Sequence, residues 1–190
     1  GRSGHASNPK LGVNAVEKCA KLIDAISSWS RALARDPDDL LGPSIATPTV
    51  VKGGTKSNVI PASCELIVDC RWIPKHGTAF VRRGLDSIVR SLKDKDPDFS
   101  ARVELMYDSP ALKLPEDGPA VRLAESASGF RAEVAPYGTE AALYTQHGVP
   151  SVVLGPGNIK QAHITDEYVS LAEARKAVSI YTRLIESVCA

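Results

Sequence analysis

No apolar run in the 190 residues approaches the roughly 20 positions needed to cross a bilayer, and the opening GRSGHAS has no apolar signal core. Neither a membrane span nor a secretory leader is expected. An excess of one charge is also lacking. Lys and Arg total 23 against 22 for Asp and Glu, which leaves no electrostatic footprint for nucleic acid or an anionic membrane. A small molecule or peptide is therefore the expected ligand. Cysteine is scarce: Cys19, Cys64, Cys70 and Cys189 show no CxxC spacing. Cys64 and Cys70 would lie roughly 20 Å apart along one extended strand, too far to pair with each other. Scattered thiols of this kind fit a reducing compartment, so a cytoplasmic protein is expected. A Gly-rich phosphate loop with its lysine, HExxH, GxSxG and Cys-His pairs at metal spacing are all missing, which removes several enzyme classes.

What is present is ordinary globular material, 43% hydrophobic and 24% charged, long enough for one large domain or two small ones. After the Gly- and Ser-rich opening, Val13, Val16, Ala20, Ile23 and Ile26 recur at helical spacing and predict a helix ending near Leu33, with Asn14 or Gly12 near its start. The β-branched stretch Ala46 to Lys52 predicts a strand. Cys64 to Arg71 predicts another, with Cys64, Leu66, Val68 and Cys70 on one face and Glu65, Ile67, Asp69 and Arg71 on the other. A second amphipathic helix is expected from about Thr78, a plausible N-cap, to Leu92. A further strand is expected over Ser100 to Tyr107. With a first strand leading into Gly1, the order is βαββαβ, the ferredoxin-like pattern.

The proline-bearing stretch Ser109 to Gly118 has no clear period and is read as a boundary, which gives lobes of 1–112 and 113–190 in a chain of α/β class. The second lobe predicts a helix from Pro119 to Ala127, a strand near Glu133, a helix from Glu140 to Gln146 and a buried strand from Pro150 to Leu154. A closing helix from about Leu171 carries its apolar stripe on Leu171, Ala174, Val178, Tyr181, Leu184 and Val188. Two strands are too few for a stable sheet. Their neighbours are expected in chain N-terminal to Gly1.

Short polar and Gly-rich motifs end the predicted strands, where open α/β folds place ligands. Four segments, GRSGHASNPKLGVNAV, GGTKSNVIPASCELIVDCRWIP, YGTEAALYTQHGVPSVVLGPG and AHITDEYV, resemble the signature segments of the acetylornithine deacetylase and succinyl-diaminopimelate desuccinylase family of dinuclear-metal amidohydrolases, and in that family's order. The resemblance covers nearly the whole chain. It implies that 1–112 is a dimerising lid and that 113–190 is the C-terminal part of a metallopeptidase catalytic domain. It also implies a homodimer acting on a small N-acyl amino acid with two Zn²⁺ or Co²⁺ ions per site.

Residue by residue, His163 resembles the family's C-terminal metal ligand, a role that suits a neutral imidazole on a strand-end loop. His5 resembles the lid histidine that reaches the partner's active site, where a donor stabilises the oxyanion of amide hydrolysis. Asn58 and Arg71 look like the residues that hold the substrate carboxylate, for which the planar guanidinium fork is suited. The alternative for Arg71 is a surface salt bridge with Asp69 or Glu65, of which Asp69 is the obvious same-face neighbour. Thr139 and Glu140 resemble a pocket loop that recognises the substrate side chain, although Glu140 would also favour a helix N-terminus. Gly155 and Gly157 read as backbone approaching ligand closely. His76 and His147 default to surface or packing roles, and Asp166, Glu167 and Tyr168 to orienting the loop after His163.

The rest of such a metal centre, an HxD pair, a bridging Asp and paired glutamates including the general base, is not found in these residues. The chain by itself is therefore expected to be inactive, as a fragment of an N-acyl amino-acid deacylase of acetylornithine deacetylase type. A desuccinylase or a related dipeptidase or carboxypeptidase is the alternative within that class. A noncatalytic dimerisation and ligand-binding protein is the alternative outside it.

Overall fold

The computed structural model describes residues 1–135 and 137–189. They form two compact units, Gly1–Ala111 and Leu112–Ala190.

The first unit is built on a helix whose start is fixed by a side chain. Asn14 Oδ1 accepts the backbone N–H groups of Val16 at 3.0 Å and Glu17 at 3.4 Å, and Asn14 Nδ2 donates to Glu17 Oε1 at 2.9 Å. These bonds satisfy donors that a helix start leaves orphaned. Helix α1 (Ala15–Leu33) then buries Ala15, Cys19, Ile26 and Leu33. Strand β1 (Gly4–His5) pairs antiparallel with β3 (Val59–Ile60).

Strands β2 (Ile45–Gly53) and β4 (Cys64–Arg71) form a separate antiparallel pair that runs from Ile45 opposite Arg71 to Gly53 opposite Cys64. The register slips between Pro48 and Val50. Thr49 is the extra residue of this bulge, and its Oγ1 donates to the Ile67 carbonyl at 3.3 Å. Helix α2 (Thr78–Lys95) has Gly77, not Thr78, as its N-cap. The Thr78 hydroxyl is engaged instead with Asp108 Oδ1 at 2.6 Å. Lys18 and Lys21 of α1 both reach Asp96, which caps the end of α2, at 2.6 and 3.1 Å. Ile26, Ile73 and Phe99, each 2% exposed, anchor the core.

The second unit contains α3 (Pro119–Ser128), the short α4 (Ala141–Gln146) and α5 (Leu171–Cys189), with a 3-10 turn at Ile159–Gln161. Gly129, in the left-handed region at φ 76°, ends α3. Arg183 of α5 donates from Nε to the Ala127 carbonyl at 3.0 Å, satisfying one of the last acceptors of α3. The helix α5 buries Ala177 and Ile180, while Leu171, Val178 and Val188 of the expected stripe remain exposed. Such a helix has apolar side chains on more than one side, and those of Leu171, Val178 and Val188 are left uncovered among the described residues.

The mixed α/β class stands, but three expected strands do not form. Ser100 to Tyr107, the segment near Glu133 and Pro150 to Leu154 are without assigned strand structure. A strand exists only through a ladder with a neighbour, and no neighbour pairs with these segments among the described residues. Side chains take up some of their backbone groups instead. Glu125 Oε1 accepts Ala132 N–H at 2.8 Å, Thr145 Oγ1 accepts Ser151 N–H at 3.0 Å, and the Tyr181 hydroxyl donates to the Leu154 carbonyl at 2.9 Å. The sixth element of the βαββαβ order is thus unpaired, with Met106 and Tyr107 more than three-quarters exposed.

Candidate functional site

In the first unit the β1–β3 pairing brings two of the candidate residues together. His5 lies opposite Val59, and Ala6 N–H donates to the Asn58 carbonyl at 2.9 Å. Both His5 and Asn58 are exposed. The His5 ring is oriented by its own loop: Nδ1 accepts the Ser7 backbone N–H at 3.2 Å and lies 2.7 Å from Ser7 Oγ. An accepting Nδ1 puts the ring proton on Nε2, leaving that nitrogen as the outward donor.

Arg71 is not part of this cluster. It ends β4, seven residues beyond Cys64, so it lies roughly 23 Å along the strand from the β3 end. Its guanidinium grips Asp69, with Nε to Oδ1 at 2.8 Å and Nη2 to Oδ2 at 3.1 Å. The hydrogen bond from Arg71 holds the Asp69 carboxyl below the usual carboxylate range, and the same bond raises the Arg71 guanidinium. The same-face neighbour expected from strand alternation is therefore the actual partner.

In the second unit Glu140 is the N-cap of α4, without a side-chain capping bond, and its carbonyl accepts from Leu143 and Tyr144. Thr139 precedes it, half-buried, with its carbonyl bonded to Ala142 N–H. A Cβ on Gly155 would meet the Tyr181 hydroxyl at 3.7 Å, an ordinary contact. Gly157 has φ +94°, a conformation that glycine alone adopts without strain. Asn158 caps the following 3-10 turn through Lys160 N–H.

His163 comes next, exposed, and with Asp166 it is one of two non-glycine residues of positive φ among the described residues, at 64° and 59°. Such backbone strain concentrates at functional positions and persists only where surrounding bonds enforce it. Here one such bond is evident: Glu167 Oε2 accepts the His163 backbone N–H at 2.9 Å. Sequence pattern pointed to Glu167 as a loop-orienting residue without indicating that this backbone group was its target. The pattern did not flag Gln161 at all. Its buried Oε1 finds no donor among the described residues.

Among the described residues no three His, Cys, Asp or Glu side chains converge in a way that could hold a metal ion. His163 offers one imidazole and no companion, so these residues alone do not make a dinuclear centre.

Residues 1–97 match the model of the peptidase dimerisation domain of the M20 peptidases. The chain belongs to the M20 family. It is 30% identical over 192 residues to an acetylornithine deacetylase from Myxococcus xanthus, covering 100% of this chain and 50% of the relative. In fold it is similar to a tripeptidase from Staphylococcus aureus, with a TM-score of 0.75 at 21% identity, covering 98% of this chain and 48% of that one. An M20 family metallo-carboxypeptidase from Sulfolobus solfataricus gives a TM-score of 0.74 at 14% identity, with 98% and 55% covered. The M20 chain thus spans about half the length of the curated relatives it matches. No helix among its described residues is long and apolar enough to cross a membrane.

Proposed function

We propose that the protein is a metal-dependent amidohydrolase that removes an N-acyl group from an amino acid, with acetylornithine the favoured substrate class. In this proposal residues 1–112 are its lid and dimerisation domain, and 113–190 belong to its catalytic domain. The observation that carries the proposal is the His163 loop. An exposed imidazole on a strained backbone, tethered by Glu167, is what a metal ligand held for function requires, and it lies in a chain similar throughout its length to an acetylornithine deacetylase. His163 is assigned as one ligand to Zn²⁺ or Co²⁺. The other ligands and the general base lie outside these 190 residues, so the segment alone is inactive. His5 and the adjacent Asn58 act in trans across a homodimer, Asn58 adding a donor to the substrate carboxylate that Arg71 of the other protomer receives, and Thr139, Glu140, Gly155 and Gly157 line the substrate pocket. The setting is the cytoplasm.

The test is metal content and turnover of the full-length protein on N-acetylornithine and N-succinyl-diaminopimelate. Two ions per site and a preference for N-acetylornithine are expected, with activity lost and metal binding weakened in His163→Ala. Wild-type activity and metal content in that variant would remove the ligand assignment. A natural translation product of only these 190 residues, binding no metal, would favour the noncatalytic dimerisation protein instead.

A further inference from the structure

Arg71 and Asp69 stand two residues apart on β4, so both project from the face opposite Cys64, Leu66, Val68 and Cys70. Their cross-strand neighbours in register are Ile45 and Thr47, neither charged. The pair is well exposed, at 56% for Arg71 and 45% for Asp69, so it contributes little to stability. It is nonetheless two-pronged, which orders a long side chain in a single orientation. A guanidinium has five N–H donors, and Asp69 takes one on Nε and one on Nη2. The outer edge, one N–H each from Nη1 and Nη2, has the spacing of a second carboxylate and meets no acceptor among the described residues.

We propose that Asp69 is a positioning residue that presets Arg71 as a carboxylate receptor, gripping the inner edge of the guanidinium so that the outer edge faces the ligand. This rests on the assignment of Arg71 to the substrate carboxylate made above. Asp69 touches no substrate itself. It reduces the number of rotamers Arg71 must give up on binding, since a preordered receptor loses less freedom when the ligand arrives.

Steady-state kinetics of the full-length, metal-loaded enzyme with N-acetylornithine and with its carboxamide separate the possibilities. Asp69→Ala is expected to raise KM for the carboxylate about tenfold, to leave KM for the carboxamide unchanged and to keep kcat within about twofold. Asp69→Asn, which retains one acceptor, falls between. Arg71→Ala raises KM for the carboxylate further, again sparing the carboxamide. An Asp69→Ala variant with unchanged KM, or with KM raised equally for both compounds, overturns the positioning role while Arg71 keeps its assignment. An Arg71→Ala variant that fails to discriminate the two compounds removes the assignment of Arg71, and the role of Asp69 with it.

Discussion

Ser44 Oγ lies 3.0 Å from Nδ1 of His76, and both residues are buried. Ser44 Oγ also accepts the Ile73 backbone N–H at 3.1 Å, and His76 N–H donates to the Ile73 carbonyl at 2.8 Å. The His76 ring stacks on Phe80 with centroids 4.1 Å apart. One hydroxyl therefore ties the entry to β2 to the turn between β4 and α2. Ser44→Ala leaves the Ile73 N–H and the His76 ring without their partner, and leaving a buried polar group unsatisfied costs about 1–3 kcal/mol. Urea denaturation should show a lower midpoint with an unchanged slope. An unaltered midpoint would mean that water replaces the hydroxyl.

Gly84 on α2 faces Trp29 on α1. A Cβ at position 84 would fall against Trp29 Cζ2 and lie 2.8 Å from Cε2. Alanine would ordinarily stabilise a helix by up to about 1 kcal/mol relative to glycine. Here the overlap with a packed indole is expected to dominate, and Gly84→Ala should destabilise by roughly 1–3 kcal/mol. The diagnostic is a double-mutant cycle. In a Trp29→Leu background the same substitution should become neutral or stabilising.

Burial, followed by the adjacent Cys64 thiol, pushes the Cys19 thiol up from 9.0 to about 11. Between those values the unfolded chain has released this proton and the folded chain has not. Its contribution to stability is therefore complete below pH 9 and is lost as pH rises toward about 11. Unfolding free energies measured from pH 8 to 10.5 should fall more steeply for the wild type than for Cys19→Ala. Parallel profiles would assign the alkaline loss to other groups.

The parts of the fold visible in sequence are those set by local period. Helix α1, its Asn14 start and the two-faced alternation of β4 all depend on neighbours within a few positions and are found, but the buried face of α1 is Ala15, Cys19, Ile26 and Leu33, while Val16 and Ala20 of the expected stripe are exposed. The Asp69–Arg71 pair was legible for the same reason, since strand alternation places the two side chains on one face. The strands expected at Ser100 to Tyr107, near Glu133 and at Pro150 to Leu154 were not dependable, because local propensity cannot supply the neighbour a ladder needs. Contacts between distant positions left no mark at all. Cys19 meets Cys64, and Ser44 meets His76, only through packing of α1, β4 and the turn before α2. Motif similarity singled out His163 as a candidate, whereas its left-handed backbone and its bond to Glu167 depend on the path of the whole loop.

That bond carries the last prediction. Holding His163 and Asp166 at positive φ costs on the order of 1–3 kcal/mol each, which must be offset by contacts that fix the loop. Glu167 supplies one by accepting the His163 N–H four residues upstream. Glu167→Gln keeps a carbonyl acceptor at that place, and Glu167→Ala removes it. If His163 is a ligand, the tether acts as the outer support of a metal site, whose loss commonly lowers metal affinity about 10–100-fold. Competition with a chromophoric chelator on the full-length protein should therefore rank wild type above Glu167→Gln, and Glu167→Gln above Glu167→Ala. His163→Ala should be weakest, because it removes the ligand and not only its support. Equal metal affinity in wild type and Glu167→Ala would show that the loop keeps its path without the carboxylate.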